Sequence, residues 1–154
     1  TYTFWQNKYR EAAGTNTISK STIKGEMMGL WMQLVRGTDK PDLIVASQDV
    51  YNAYESALQA NQRYMDAKSA RAGFETLKYK TADVIFDDNT NFGTTAEKAY
   101  FLNTDYLEMV VHRDADWSQM DDKMSVNQDA VVIPLLWMGN LVCSNRKQQG
   151  VIKP

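Results

Sequence analysis

A single cysteine, Cys143, rules out an internal disulfide framework, and that usage fits a chain folded in a reducing compartment. Charge of one sign is missing too. Seventeen Lys and Arg stand against nineteen Asp and Glu, mixed along the chain for a net −2. Neither the basic footprint of a nucleic-acid binder nor a polybasic run for a membrane surface is present. No apolar stretch approaches the roughly 20 residues that a spanning helix needs. The nearest candidate, residues 130–143, is shorter, holds Pro134 mid-run and runs into Ser144-Asn145-Arg146-Lys147-Gln148-Gln149. There is no secretory signal at the start, no fixed-period repeat and no low-complexity segment. A first residue of Thr1 rather than methionine points to a fragment or a processed product.

What is present is ordinary for a globular chain. Its 154 residues are 44% hydrophobic and 23% charged, which suits one domain, or one compact domain with an extension. The organising stretch is residues 128–143, β-rich at its start and apolar or glycine from Ala130 onward except at Pro134 and Asn140. It reads as a buried strand system bent at Pro134 or Gly139, followed by a last short strand at residues 150–153.

Earlier segments give weaker or clearer periods. Thr1-Tyr2-Thr3-Phe4-Trp5 alternates as a strand would, and residues 7–13 read as a short helix stopped by Gly14. Ile23, Met27, Leu30, Trp31, Leu34 and Val35 recur at helical spacing after a serine or threonine cap, and Gly37 stands as the helix stop. Residues 42–46 have strand length, with Ser47 as a cap and Asp49 in the first turn of a second helix. Val50, Tyr51, Tyr54, Ala57 and Leu58 form that helix's buried face. Residues 63–72 read as a partly helical excursion. Strands follow at residues 76–80, 82–86, 99–102 and 106–112, the last two separated by a hairpin-like break at residues 103–105. Residues 87–95 are the clearest loop, and residues 113–127 an acidic connection. One or two amphipathic helices among several short strands without regular alternation indicate an α+β fold.

Candidate chemistry is thin. Asp87, Asn89 and Asn91 alternate as in a calcium loop, but the glycine comes one residue late at Gly93 and Lys98 fills the bidentate position, so a turn is the better reading. His112, the sole histidine, ends an apolar strand without a nucleophile-elbow signature, and a structural or rim role is preferred to general-base catalysis. Cys143 lacks the flanking residues of a catalytic thiol. Asp114, Asp116, Asp121 and Asp122 lie beside Arg113 and Lys123 and read as a solvated loop. The glycines make no phosphate-cradling loop or dinucleotide fingerprint. Trp5, Trp31, Trp117 and Trp137 are dispersed and suit packing or an interface. No catalytic, cofactor-binding or metal residue is therefore assigned.

Several stretches, taken in order, carry a resemblance: Phe4-Trp5-Gln6-Asn7-Lys8; Pro41-Asp42-Leu43-Ile44-Val45-Ala46-Ser47 with Val50-Tyr51-Asn52-Ala53-Tyr54-Glu55; Gly73-Phe74-Glu75-Thr76-Leu77-Lys78-Tyr79-Lys80 leading to Asp83-Val84-Ile85-Phe86-Asp87; Tyr100-Phe101-Leu102-Asn103-Thr104; Asn127-Gln128-Asp129-Ala130; Trp137-Met138-Gly139-Asn140-Leu141-Val142-Cys143-Ser144; and Gln149-Gly150-Val151-Ile152. Each is a weak motif, but together they span nearly the whole chain. The series resembles the major capsid protein family of tailed bacteriophages, with the Hong Kong ninety-seven type fold.

The resemblance implies the C-terminal part of a coat subunit, lacking the N-terminal arm, the extended loop and most of the spine helix. It implies a peripheral-domain segment at residues 1–16, an axial domain at 17–127 whose sheet is flanked by helices at 18–35 and 48–58, and a return to the peripheral sheet at 128–154. Loops at residues 87–96 and 113–127 are candidates for the shell vertices. The expected partners are copies of the chain in pentamers and hexamers, with scaffolding and portal proteins, around double-stranded DNA held without sequence-specific contacts and with no membrane. The expected location is the virion, and the bacterial host cytoplasm before assembly. No enzyme activity, cofactor or subunit crosslink is implied. An encapsulin-like compartment shell is the alternative, and a small hydrolase using His112 a third reading.

Overall fold

The computed structural model describes residues 3–11, 18–59, 77–87, 98–124, 127, 129 and 131–153. Its contacts divide the chain into two compact units, Thr1–Tyr106 with Asn145–Pro154, and Leu107–Ser144. The expected boundaries at 16/17 and 127/128 do not coincide with this division.

The first unit is built on a six-stranded sheet with the order β1-β12-β5-β2-β4-β3. These strands are β1 (Lys8–Glu11), β2 (Leu43–Ala46), β3 (Leu77–Tyr79), β4 (Ala82–Phe86), β5 (Ala99–Leu102) and β12 (Gly150–Lys153). Side chains alternate across a strand, so register decides which residues share a face. Ile44 stands opposite both Phe101 and Val84, Ala99 opposite Ala46 and Ile152, and Leu77 opposite Val84. All seven of these side chains are buried on one face. The helices α1 (Ile23–Leu34) and α2 (Gln48–Gln59) cover that same face, rather than sandwiching the sheet.

Both helices follow the sequence pattern. Ile23, Met27, Leu30, Trp31 and Leu34 of α1, and Val50, Tyr51, Tyr54 and Ala57 of α2, are buried. Before α1, Ser19 accepts the backbone N–H groups of Thr22 and Ile23 at 3.1 and 2.9 Å, satisfying donors that a helix start leaves free. At its end the Val35 N–H closes on Trp31, and Gly37 takes its left-handed φ of 60° in the following turn, where the N–H groups of Arg36 and Asp39 each bond the other's carbonyl at 2.9 Å. Glu26, a charge on the buried face, is paired with Arg10 of β1.

β1 itself is one difference from the sequence reading. Residues 8–11 form a strand, not a short helix, because they pair in parallel with β12 from Lys8 opposite Gly150 to Glu11 opposite Lys153. Thr3–Trp5 is a 3-10 turn rather than a strand. The hairpin β3-β4 turns through Lys80 and Thr81, with Lys80 at φ 55° as a tight two-residue turn requires. The loop at residues 88–97 and the excursion at 63–72 lie outside the described residues.

The expected hairpin between residues 99–102 and 106–112 does not form. β5 stays in the main sheet between β2 and β12, and the chain leaves through a 3-10 turn at Thr104–Tyr106. Polar contacts hold this exit. The buried Asn103 donates its backbone N–H to Gln149 Oε1 at 3.0 Å and accepts Gln149 Nε2–H on its carbonyl at 3.1 Å. Asp42 accepts the Thr104 backbone N–H at 2.8 Å and the Thr104 hydroxyl, and Asp39 accepts the Tyr106 hydroxyl at 2.8 Å. The bond to Asp39 raises Tyr106 above the ordinary tyrosine range.

Replacing Gln149 with leucine strips the Asn103 N–H of its partner, while the Asn103 carbonyl keeps the Tyr106 N–H at 3.3 Å. An orphaned backbone donor costs roughly 1–3 kcal/mol, so urea denaturation should show a loss of about 1–3 kcal/mol. A second expectation concerns alkaline pH. Burial, with Tyr79 beside it, pushes Tyr54 from 10.0 up to about 12, and its hydroxyl donates to the Lys78 carbonyl at 2.9 Å. Below pH 10 this stabilisation is complete. Between pH 10 and about 12 the unfolded tyrosine ionises first, so stability should fall by roughly 2–3 kcal/mol, a limb that Tyr54→Phe should remove from a pH series of melting curves.

Candidate assembly surface

The second unit is a two-stranded antiparallel ribbon in three sections. β6 (Leu107–Val111) pairs with β11 (Gly139–Cys143), β7 (Ser118–Gln119) with β10 (Leu135–Leu136), and β8 (Lys123–Met124) with β9 (Val131–Val132). The arms are unequal. Residues 112–117 face only 137–138, and the surplus bulges around Trp117, which takes φ 51°. The Met138 carbonyl accepts the His112 N–H, and the Ala115 carbonyl the Met138 N–H, each at 2.8 Å, and these bonds bridge the bulge. Farther along, residues 120–122 face 133–134. Pro134 sits at this second irregularity, where a residue without an N–H costs no ladder bond, and its carbonyl takes the Met120 N–H at 3.0 Å.

Of the breaks expected at Pro134 or Gly139, the one at Pro134 is real, while the other falls at residues 137–138, just before Gly139 opens β11 opposite Val111; two further expectations are corrected. The apolar strands of residues 131–143 do not pair with one another, and they are not buried. Each finds its partner in residues 107–124, so the stretch expected to be a solvated acidic connection is the other arm of the ribbon. Register places Leu107, Met109 and Val111 with Gly139, Leu141 and Cys143 on one wholly apolar face. Met109 is 67% exposed and Leu141 62%. Met124 at 83% and Trp117 at 68% extend the apolar exposure to the other sections, with Val131, Val132, Ile133 and Leu135 also exposed. Exposed apolar area of this extent marks a contact site in soluble proteins.

Local geometry stiffens the ribbon. The Trp137 ring lies so close over Gly139 that a Cβ there would overlap it, which makes glycine the residue that fits. Trp137 in turn packs against Trp117 with ring centroids 6.3 Å apart and planes tilted 35°.

The residues weighed for catalysis fall apart in space. His112 is exposed beside a broad, open depression lined by Val110, Arg113, Asp114, Met138 and Asn140. Its Nδ1 accepts the Asp114 backbone N–H at 3.2 Å. That assigns the ring proton to Nε2, the reverse of a base whose Nδ1–H is held by a carboxylate so that Nε2 can take a proton. Cys143 is a half-buried free thiol at the foot of β11. Asp114 pairs with Arg113 at 3.3 Å in the open, and Asp116, Asp121 and Asp122 are exposed. Among the described residues no group of three or more metal-ligating side chains comes together, and no helix is long and apolar enough to cross a membrane.

The sequence did carry a signal for the exposed face. Glu108 and Asn140 break the two apolar runs at alternate positions, as strands with one polar face do.

No protein-family model matches the chain, and no curated protein matches it. Among solved structures, it is similar to a chain of the holo-SrpI encapsulin complex from Synechococcus elongatus PCC 7942, with a TM-score of 0.61 and 11% sequence identity. The likeness covers 96% of this chain and 52% of that one, so the chain spans about half the length of its structural neighbour. At that identity the likeness concerns the fold, which is the α+β Hong Kong ninety-seven capsid type.

Replacement of His112 by alanine should leave the melting temperature almost unchanged, corresponding to less than about 0.5 kcal/mol, because the ring is exposed and its one recorded partner is a local backbone N–H.

Proposed function

We propose that this chain is part of a shell subunit whose work is to assemble with copies of itself into a closed icosahedral container, with no catalytic step. One observation carries the reading: a capsid-type fold bears a ribbon whose apolar face has no cover within its own unit. A two-stranded ribbon is marginal in water by itself, so a partner surface is what would make it persist. Shell assembly multiplies modest contacts by symmetry, so no single interface has to be strong.

Of the possible containers, the coat of a tailed double-stranded DNA phage or prophage is our first reading, supported by the ordered series of sequence stretches. Near-neutral charge suits a wall that encloses DNA without gripping it. Scaffolding and portal partners, and a location in the virion after assembly in the bacterial host cytoplasm, belong to this reading. So does the division into a peripheral segment at 1–16, an axial domain at 17–127 and a peripheral return at 128–154, with β1 and β12 drawn by pairing into the sheet that holds β2. The second reading, an encapsulin-like compartment, is favoured by the structural likeness to the SrpI shell.

Electron microscopy of the full-length gene product separates these readings. DNA-sized shells with a portal support the coat, and small closed shells around protein cargo support the compartment. A persistent monomer would overturn both. Met109→Asp with Leu141→Asp should raise the concentration needed for assembly by roughly a hundredfold, about 3 kcal/mol per contact, as measured by sedimentation velocity.

A further inference from the structure

A second surface, on the first unit, has the opposite character. Phe4, Trp5, Arg36, Asn145, Lys147 and Gln148 line a groove of roughly 220 Å³. The two aromatic rings stand 5.8 Å apart and tilted by 44°, and both are more than half exposed. Arg36 and Lys147 add two positive charges, no acid lines the groove, and neither cation has an ion pair among the described residues. Arg146 extends the positive potential, held toward Asn7 by a 3.5 Å contact.

The ribbon carries the complementary chemistry. Between Asp114 and Asp122 four aspartates flank the exposed Trp117, against one arginine and one lysine at the ends of that stretch, Arg113 and Lys123. An aromatic anchor surrounded by acids matches an aromatic groove rimmed by cations, and Trp and Arg are the side chains that most often dominate interface energetics.

We propose that the groove at Phe4, Trp5, Arg36 and Lys147 receives the Asp114 to Asp122 segment of a second copy of this chain. The inference rests on the shell reading and specifies one of its contacts. Two different patches meeting between identical copies make a head-to-tail interface, which closes a ring when the rotation per copy permits. Complementary charge sets the register of that contact, and the aromatic groups supply buried area.

The test is a charge swap in the full-length chain. Arg36→Glu with Lys147→Glu, and separately Asp121→Lys with Asp122→Lys, should each raise the concentration needed for assembly about tenfold or more. Combined in one chain they should bring it back to within about threefold of wild type, since restored pairing is what a double-mutant cycle detects. Trp117→Ala should weaken assembly without rescue by either swap. Because the charges lie at the surface, melting curves should stay close to wild type, and the milder Arg36→Gln with Lys147→Gln should give an intermediate loss. Wild-type shells together with reversal variants that assemble unchanged, or a combination no better than its parents, would overturn this contact and leave the shell reading standing. A wild-type chain that never assembles would overturn both.

Discussion

β5 is hydrogen-bonded on both sides, to β2 along Ala99–Leu102 and to β12 along residues 99–101, and its Phe101 is fully buried opposite Ile44 and Gly150. The position of this one strand fixes most of the topology. With β2 on one side, the crossover through α2 must carry the chain past β2 to β4, its parallel neighbour. With β12 on the other side, the C-terminal strand must return antiparallel beside β5, and β1 can then attach only at the outer edge of β12. Everything from Leu107 to Ser144 is therefore an insertion between two neighbouring strands. On the first unit, beside the points where the insertion leaves and returns, the reciprocal amide contact between Asn103 and Gln149 supplies the buried Asn103 N–H with its acceptor.

The two units solve the problem of apolar surface in different ways. In the first, every strand but β1 contributes one face to a core closed by α1 and α2, and even the buried Glu26 has a cation, Arg10 of β1, to neutralise it. The ribbon has no such layer. Its hydrogen bonds are made between its own arms, so backbone demand is met, but Met109, Leu141, Leu135 and Met124 remain in water. Hydrophobic burial contributes roughly 25 cal/mol per Å². Exposed residues of this size represent stabilisation that the isolated chain does not realise, and a neighbouring surface is the direct way to realise it.

The same contrast explains what the sequence disclosed. Helical spacing was legible in α1 and α2 because a one-sided helix must repeat its apolar residues every three or four positions, and residues 42–46 and 82–86 were legible as short runs between turn signals. The C-terminal run was read as buried because continuous apolarity normally means cover on both sides. Here it reflects an exposed face plus the turns at Pro134 and around Trp137, and a single chain does not encode whether that cover comes from itself or from another molecule. Residues 113–127 were read as a loop because their acids lie in the irregular stretches around the two-residue strands Ser118–Gln119 and Lys123–Met124, which are too short for a period to emerge. Residues 8–11 defied the helix reading because their partner, β12, lies at the far end of the chain, and local preference carries no information about so distant a pairing. Of the candidate surfaces, the tryptophans were legible as packing or interface residues, while the placement of Trp5 beside Arg36 and Lys147 arises only from folding.

A net charge of −2 conceals this arrangement. Residues 145–147 with Arg36 concentrate cations on one unit, and Asp114, Asp116, Asp121 and Asp122 concentrate anions on the other, so a nearly neutral total is compatible with two strong local fields of opposite sign. Such a molecule has little reason to bind polyanions along its length, yet it carries what a like molecule needs for orientation. Screening at physiological salt confines each field to about 8 Å, so the charges act only once two copies are nearly in place. In the proposed assembly, apolar area and charge divide the labour of association: non-directional burial on the ribbon would supply free energy, and the short-ranged pairing of unlike patches would select, among the many ways two copies could touch, the one that repeats.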